Sequence, residues 1–119
     1  MNGFGIDIEK ATLDNIYYRR VLYTTPQQQL VLMNIPVNDD IHLEIHPHTT
    51  QFIRFESGTG EVRINDIVLN VKDGSSVTIP PNSYHQVINT SSKESLKLYT
   101  IYSPPEHPKD LIQTSNPDK

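Results

Sequence analysis

The stretch GSSVTIPPNSYHQVIN, residues 74–89, contains two short β-rich runs on either side of a tight turn. The runs cover 76–79 and 85–88, and the sequence PPNS at 80–83 lies between them. Proline fixes φ and asparagine tolerates a positive φ, so such a segment favours a turn. The stretch therefore predicts two strands, the second of which begins at His85.

The same alternation of β-rich runs and turn signals continues over most of the chain. Runs rich in Val, Ile, Leu, Tyr and Thr predict further strands at 17–23, 30–35, 41–46, 52–55, 61–64, 67–71 and 96–102. Short strands separated by turn signals about every 8–12 residues are typical of an antiparallel sandwich or barrel. The sequence therefore predicts an all-β fold, with a helical turn only at 8–15.

Length and cysteine content limit the fold and its chemistry. The chain has 119 residues, the size of one domain, since compact domains usually contain about 100–200 residues. It has no cysteine, which excludes disulfides, thiolate metal ligands and cysteine nucleophiles. Any bound metal must be held by nitrogen and oxygen. Residues 103–119 contain four prolines and are expected to form neither strand nor helix.

The charge balance argues against several classes of partner. The net charge is −4, and without a basic stripe we expect no nucleic-acid partner. No apolar run approaches the ~20 residues of a transmembrane helix. Residues 1–7 lack the basic and apolar regions of a signal peptide. We therefore expect no membrane association and a cytoplasmic location.

Three of the five histidines lie in the stretch HLEIHPHTTQ, residues 42–51. Residues 41–46 alternate apolar and polar, so His42, Glu44 and His46 are expected on one face of a strand and the apolar residues on the other. If the polar face looks into a barrel, the apolar face points outward and needs a cover. The N-terminal strands or a second subunit could cover it, and on this basis the sequence predicts a homodimer.

The polar face of this strand has the chemistry of a metal site. Side chains two positions apart on a strand lie on one face about 6.6 Å apart, so Glu44 and His46 can reach one ion. His85 would complete a 2-His-1-carboxylate set, which suits Fe(II), Mn(II), Zn(II) or Ni(II), and Gln51 could add an amide oxygen. An alternating polar strand is also typical of an ordinary solvated face, and the spacing alone leaves both interpretations open.

The longer spacing pattern resembles that of the cupin superfamily, whose two motifs are G-x5-H-x-H-x3,4-E-x6-G and G-x5-P-x-G-x2-H-x3-N. The second motif is present as Gly74-x5-Pro80-x-Asn82-x2-His85-x3-Asn89, with asparagine replacing the middle glycine. Asparagine is the residue that, after glycine, best tolerates a positive φ. The replacement is therefore compatible with the same turn.

The first cupin motif keeps its spacing but changes its ligand types. It is present as Glu44-x-His46-x4-Gln51-x6-Gly58, with Asn38 in place of the leading glycine. Over its whole length the chain is similar to small single-domain bacterial cupins, some of which are labelled mannose-6-phosphate isomerase-like. In that group the Glu-x-His-Pro…Gln-Phe pattern is typical.

The resemblance implies a single cupin domain over 1–119. Its parts are N-terminal strands at 1–35, the cupin core at 36–102 and a Pro-rich tail at 103–119. The implied fold is an antiparallel double-stranded β-helix, the jelly-roll cupin barrel, with little helix. The implied cofactor is a divalent metal ion, Fe, Mn, Zn or Ni. Its implied ligands are Glu44, His46, Gln51 and His85.

Two classes of function remain open at this point. A metal-dependent enzyme would act on a sugar, sugar acid or keto acid, by polarising a carbonyl for isomerisation or, with Fe(II), as a dioxygenase. A non-catalytic module would bind a small ligand or the metal without turnover, and a cupin scaffold that has lost its metal is a third alternative. The sequence singles out no catalytic acid or base, and cupins host many functions.

The remaining polar and aromatic residues are assigned lesser roles. His42 is expected at the rim or surface, His48 at the pocket mouth, and His107 outside the site. Arg54 is expected on the face opposite Gln51, in a structural ion pair. The aromatic residues that could line the pocket, or be ordinary sheet residues, are Tyr84, Tyr99 and Tyr102.

Overall fold

The structure is a computed structural model that describes residues 1–119. It contains one helix and ten strands, a content that confirms the predicted all-β fold. The elements are α1 (Ile8–Asp14), β1 (Arg19–Thr24), β2 (Gln29–Ile35), β3 (Asp40–Ile45), β4 (Thr50–Ser57), β5 (Thr59–Ile64), β6 (Ile67–Lys72), β7 (Ser76–Ile79), β8 (Tyr84–Asn89), β9 (Leu96–Ser103) and β10 (Ile112–Gln113).

Two antiparallel sheets face each other in the predicted jelly-roll arrangement. The larger sheet has six strands in the order β10-β1-β2-β9-β4-β7, and the smaller has four in the order β3-β8-β5-β6. Strands 76–79 and 85–88 of the predicted pair therefore lie in different sheets, because β7 pairs with β4 and β8 with β3 and β5. The turn at 80–83 carries the chain from one sheet to the other.

Asparagine occupies two of the glycine positions of the cupin motifs, and the structure shows why it is tolerated. Asn38 and Asn82 have φ values of 65° and 61°, in the left-handed region that asparagine enters more easily than most residues. The motif residue Asn89 is buried and donates to the carbonyl oxygens of Ile35 and Glu94. It therefore fixes the loop between β8 and β9.

The tail was expected to contain no regular structure, and this prediction is wrong at one point. Ile112 and Gln113 form β10, which pairs with Arg20 and Arg19 of β1. The segment between Pro108 and Pro117 is free of proline, so its backbone N–H groups can join a ladder. The tail thereby becomes an edge of the larger sheet.

The predicted alternation on β3 is also wrong in its first half. Ile41 pairs with Val87 and Glu44 with His85, so β3 contains one residue more than β8 between these pairs. This bulge turns both Ile41 and Glu44 inward, because an extra residue shifts the side-chain alternation by one. Ile41 is consequently buried in the core, not on the outer face, whereas Leu43 is 59% exposed.

The hydrophobic core lies between the two sheets. Ile53 and Phe55 of β4 face Val62 and Val87 of the smaller sheet, and all four are fully buried. Burial of such a side chain stabilises the fold by about 1.5–3 kcal/mol. Helix α1 packs against the larger sheet, and no helix of the structure has the length and apolarity that crossing a membrane requires.

Candidate metal centre

The predicted ligands Glu44 and His85 lie opposite each other on paired strands. Glu44 of β3 and His85 of β8 are direct cross-strand partners, and the bulge described above is what turns Glu44 toward His85. His46 follows the end of β3, and its carbonyl oxygen accepts a 2.8 Å hydrogen bond from the Asn82 backbone N–H. The two motif segments are thus joined beside the site.

These three residues converge on one point. The Glu44 Oε1 atom lies 3.2 Å from His46 Nε2 and 3.3 Å from His85 Nε2. One donor atom from each of the three residues lies within 4.8 Å of the others. The side chains are 22%, 11% and 1% exposed, respectively. The structure therefore brings together three of the four predicted ligands.

The second nitrogen of each histidine ring is held by an oxygen acceptor. His85 Nδ1 lies 3.0 Å from the Ser83 carbonyl oxygen, and His46 Nδ1 lies 3.2 Å from Glu106 Oε2. These oxygens only accept hydrogen bonds, so Nδ1 carries the proton in both rings. In the neutral rings, each Nε2 then offers a lone pair toward Glu44, and His85 Nε2 is buried without a hydrogen-bond partner.

The titration of this cluster reflects the same arrangement. Burial by itself raises the pKa of Glu44, but the interactions of its carboxylate with the His46 and His85 rings outweigh burial and hold the pKa well below its usual range. For His46, burial lowers the pKa, whereas the hydrogen bond that the protonated ring would donate to Glu44 and the charges of Glu44 and Glu106 raise it above its ordinary value overall. The cluster as a whole favours a bound positive charge.

The fourth predicted ligand, Gln51, is 1% exposed and lies on β4, in the opposite sheet. Its Nε2 donates to Thr100 Oγ1 at 3.1 Å and to Tyr102 Oη at 3.3 Å. These bonds fix the amide orientation and leave Oε1 buried without a hydrogen-bond partner. An unpartnered buried oxygen is compatible with a ligand role, and that role for Gln51 stays a prediction.

Tyr102 is the one candidate aromatic residue that lies at the site. Its ring contacts the His46 ring edge-on, with centroids 5.9 Å apart, and contacts His107 in the same manner at 5.2 Å. The expectation that His107 lies outside the site is therefore wrong, because the tail folds back over the barrel mouth. Burial, with smaller contributions from the charges of Arg19 and His46, lowers the pKa of His107 to about 4.

Arg19 is a buried cation that no sequence motif singled out. Arg19 is 7% exposed, and its Nε atom is buried without a hydrogen-bond partner. Its Nη1 donates to the neutral Gln113 side chain, and its guanidinium lies 5.2 Å from the centre of the Tyr18 ring. Its charge influences Tyr102, His107 and His46, so it is electrostatically part of the site.

The other assigned residues lie away from the cluster. His42 is exposed and pairs with Asp118 at 3.0 Å, which confirms its surface position. His48 is exposed, and Arg54 pairs with Glu56 at 2.9 Å, as expected. Tyr84 is 56% exposed. Tyr99 packs against Phe52.

Sequence reasoning missed Glu106, which contacts His46 from the far side. It belongs to neither cupin motif and lies in the Pro-rich tail, where acidic residues are usually solvated. Only the proline-flanked pair Glu106-His107 could have drawn attention to it.

The donor set fits a divalent metal ion. Two imidazole nitrogens and one carboxylate oxygen suit Fe, Mn, Zn or Ni, and second-sphere acceptors on both Nδ1 atoms are typical of metal-binding histidines. The buried, unpartnered His85 Nε2 is what an imidazole prepared for a metal would present. The fold and this cluster together define a cupin with a site compatible with a divalent metal.

The chain belongs to the cupin family, since residues 31–102 match the cupin domain. It is 44% identical over 115 residues to the uncharacterized protein L612 of Acanthamoeba polyphaga mimivirus and 38% identical over 121 residues to the uncharacterized protein YrkC of Bacillus subtilis (strain 168). These matches cover 94% and 97% of this chain but 72% and 64% of the relatives. The chain thus spans about two-thirds of their length.

A solved structure supports the same assignment. The crystal structure of BH2720 from Bacillus halodurans superposes with a TM-score of 0.92 at 39% identity. The superposition covers 95% of this chain and 89% of BH2720. The predicted membership of the small bacterial-type cupins is therefore confirmed.

Proposed function

We propose that this cupin is a metal-dependent enzyme acting on a small sugar acid or keto acid. Glu44, His46 and His85 would hold the ion, with Gln51 as a fourth ligand. The observation that carries the proposal is the orientation of His85: Nδ1 donates to a carbonyl oxygen, and the buried Nε2 faces the Glu44 carboxylate. A lone pair facing a carboxylate is stabilised by a cation between them, and a divalent metal ion can fill that role.

The ion would supply one of two kinds of chemistry. A bound divalent metal would polarise a carbonyl, as an isomerase requires, whereas Fe(II) would let O₂ react with the substrate, and the substrate would supply the electrons of such a dioxygenase reaction. The protein's own contribution is to hold protons nearby. Tyr102 Oη and His107 Nε2 lie 3.4 Å apart, and the raised pKa of Tyr102 and the lowered pKa of His107 keep both neutral near pH 7. They are the candidate pair for moving a substrate proton.

Arg19 supports an acid over a neutral sugar as the substrate. A buried guanidinium is costly unless an anion accompanies it, yet the only side chain that accepts from Arg19 is a neutral amide. A carboxylate of the substrate would supply the missing charge and would leave a carbonyl or hydroxyl to face the metal. A neutral sugar would leave Arg19 unpaired.

A binding module without turnover is the second candidate function. The surface hollows of the molecule are lined by other residues, and none includes Glu44, His46 or His85. A centre without an adjoining hollow favours binding of the ion alone. Substrate access would require the tail to move.

Metal content tests the proposed centre. We expect the purified protein, loaded in turn with Fe, Mn, Ni and Zn, to hold about one ion per chain by elemental analysis. Glu44→Ala and His85→Ala should each lower the affinity at least about 100-fold while the circular dichroism spectrum stays that of a folded barrel.

The matched control for this test is His48→Ala, which removes an exposed imidazole from the same stretch and should leave affinity unchanged. Less than about 0.1 ion per chain in loaded wild type would exclude the centre. One bound ion with no turnover of any sugar-acid or keto-acid substrate would favour the binding module.

Two broader expectations are kept as proposals. We propose a cytoplasmic location, which the composition favours. We also propose a homodimer, although Ile41 is buried in the core and does not belong to an apolar outer face of β3. The proposal is supported by β6, an edge strand on which Ile67 and Val68 are 59% and 56% exposed.

A further inference from the structure

We propose that Glu106 is a positioning residue of the metal centre, which holds the His46 ring so that its Nε2 faces the ion. The inference rests on the proposed metal centre and adds to it a carboxylate from the Pro-rich tail. Glu106 belongs to neither cupin motif. Its position depends on how the tail folds back over the barrel.

Glu106 contacts the opposite side of the imidazole from the predicted ligands. Its Oε2 lies 3.2 Å from His46 Nδ1, whereas Glu44 Oε1 lies 3.2 Å from His46 Nε2. The two nitrogens point to opposite sides of the ring. Glu106 therefore acts through His46 and is not itself placed as a ligand.

The backbone of Glu106 is fixed by a buried amide. Gln29 of β2 is fully buried, and its Oε1 accepts hydrogen bonds from the backbone N–H groups of Glu106 and His107 at 3.2 and 3.0 Å. Its Nε2 donates to the His107 carbonyl oxygen at 2.8 Å and to Thr24 Oγ1 at 3.0 Å. The amide thereby uses its full hydrogen-bonding capacity, and three of its four bonds attach the tail to the barrel.

This attachment gives the carboxylate a defined chemical effect. An acceptor at Nδ1 keeps the proton on that nitrogen, leaves the Nε2 lone pair free, and increases the basicity of the ligand. His85 obtains the same tautomer from the Ser83 carbonyl oxygen. His46 obtains it from a charged group that a substitution can remove without altering the backbone.

Two measurements on Glu106→Ala and Glu106→Gln test the role. In the metal-free protein at pH 9, nitrogen-15 chemical shifts should show the His46 proton on Nδ1 in wild type. They should show a mixture of tautomers in Glu106→Ala. In Co²⁺ titrations followed by calorimetry, Glu106→Ala should bind about 10- to 100-fold more weakly than wild type. Glu106→Gln keeps an acceptor oxygen and should lie between them.

The matched control is Glu94→Ala, which removes an exposed acidic residue from the loop before β9 and should match wild type in both measurements. Equal Co²⁺ affinity and an unchanged His46 tautomer in Glu106→Ala and Glu106→Gln would overturn the inference while leaving the metal centre intact. Wild type that binds no Co²⁺ would instead overturn the centre. If Glu106→Ala does not fold, Glu106→Gln alone decides, since it preserves the size of the side chain.

Discussion

Single atoms determine what the centre of this barrel can bind. Each of the two histidines has one nitrogen held by an oxygen acceptor, and each directs the other nitrogen at one Glu44 oxygen. Three acceptors that converge in a buried place favour a bound cation, because in the neutral rings they carry no compensating positive charge. Whether the site can bind a cation therefore depends on which ring nitrogen of each histidine carries the proton, more than on the number of histidines nearby.

His107 should make the metal-free protein more sensitive to acid. Its pKa is lowered to about 4 in the folded state, from 6.5 ordinarily, so the unfolded chain binds more protons between these values. The contribution of His107 to the free energy of unfolding is therefore complete above about pH 6.5 and is lost as the pH falls toward 4. His107→Gln should reduce this pH dependence in urea unfolding at pH 7, 5.5 and 4.5.

The comparison with wild type at each pH isolates His107 from the other titrating groups. His48→Gln, which changes an exposed histidine, is the control and should reproduce the wild-type curve. Identical pH dependence in His107→Gln and wild type would contradict the prediction.

At the scale of elements, turns and one bulge decide which side chains meet. The bulge in β3 brings Glu44 opposite His85, and without it the strand alternation would place Ile41 and Glu44 on different faces. Gly58, between β4 and β5, adopts φ +100°. A Cβ atom there would lie 2.5 Å from the Ser95 carbonyl oxygen, so the motif glycine permits a close approach of two backbone segments.

Gly58→Ala should destabilise the fold more than Gly74→Ala. A left-handed backbone costs a non-glycine residue about 1–2 kcal/mol, and at Gly58 the contact with backbone atoms adds to it, for a total of about 2–4 kcal/mol. Gly74 has φ +86° but open space around it, so only the backbone cost of about 1 kcal/mol applies. Chemical denaturation of both variants measures the difference, and equal losses would refute the steric argument.

On the scale of the whole molecule, the two edges of the smaller sheet differ in how well they are protected. The β3 edge is bulged, and the tail covers it, since Asn116 donates to the Asp40 carbonyl oxygen at 3.0 Å. The β6 edge pairs regularly with β5 and exposes the successive residues Ile67, Val68 and Leu69. A regular, apolar, uncovered edge is the one suited to pairing with a second copy.

Val68→Lys should therefore produce a monomer if the proposed homodimer forms through β6. A charge in the centre of such an interface is left without a partner when it is buried. Sedimentation velocity measures the change, with Leu43→Lys on β3, at the other edge of the smaller sheet, as the control that remains dimeric. A monomeric wild type would refute the dimer, and a dimeric Val68→Lys would refute the β6 interface.

The sequence by itself predicted every strand except β10, most turns and three residues of the candidate centre. Strand alternation and turn formation depend on residues that are close together in the chain, so both can be predicted from the sequence alone. Motif spacing is also a property of the chain alone, and it selected Glu44 and His46 over the pair His46 and His48. Asn38 and Asn82 could be predicted to replace glycine because a positive φ angle is a local property of the backbone.

Only the tertiary structure decided which distant groups surround that centre. Glu106, His107 and Arg19 reach it because the tail returns over the barrel and β10 pairs with β1. The bulge in β3 likewise depends on the pairing with β8. Such contacts join segments far apart in the chain, and their formation depends on packing and pairing that no local pattern specifies.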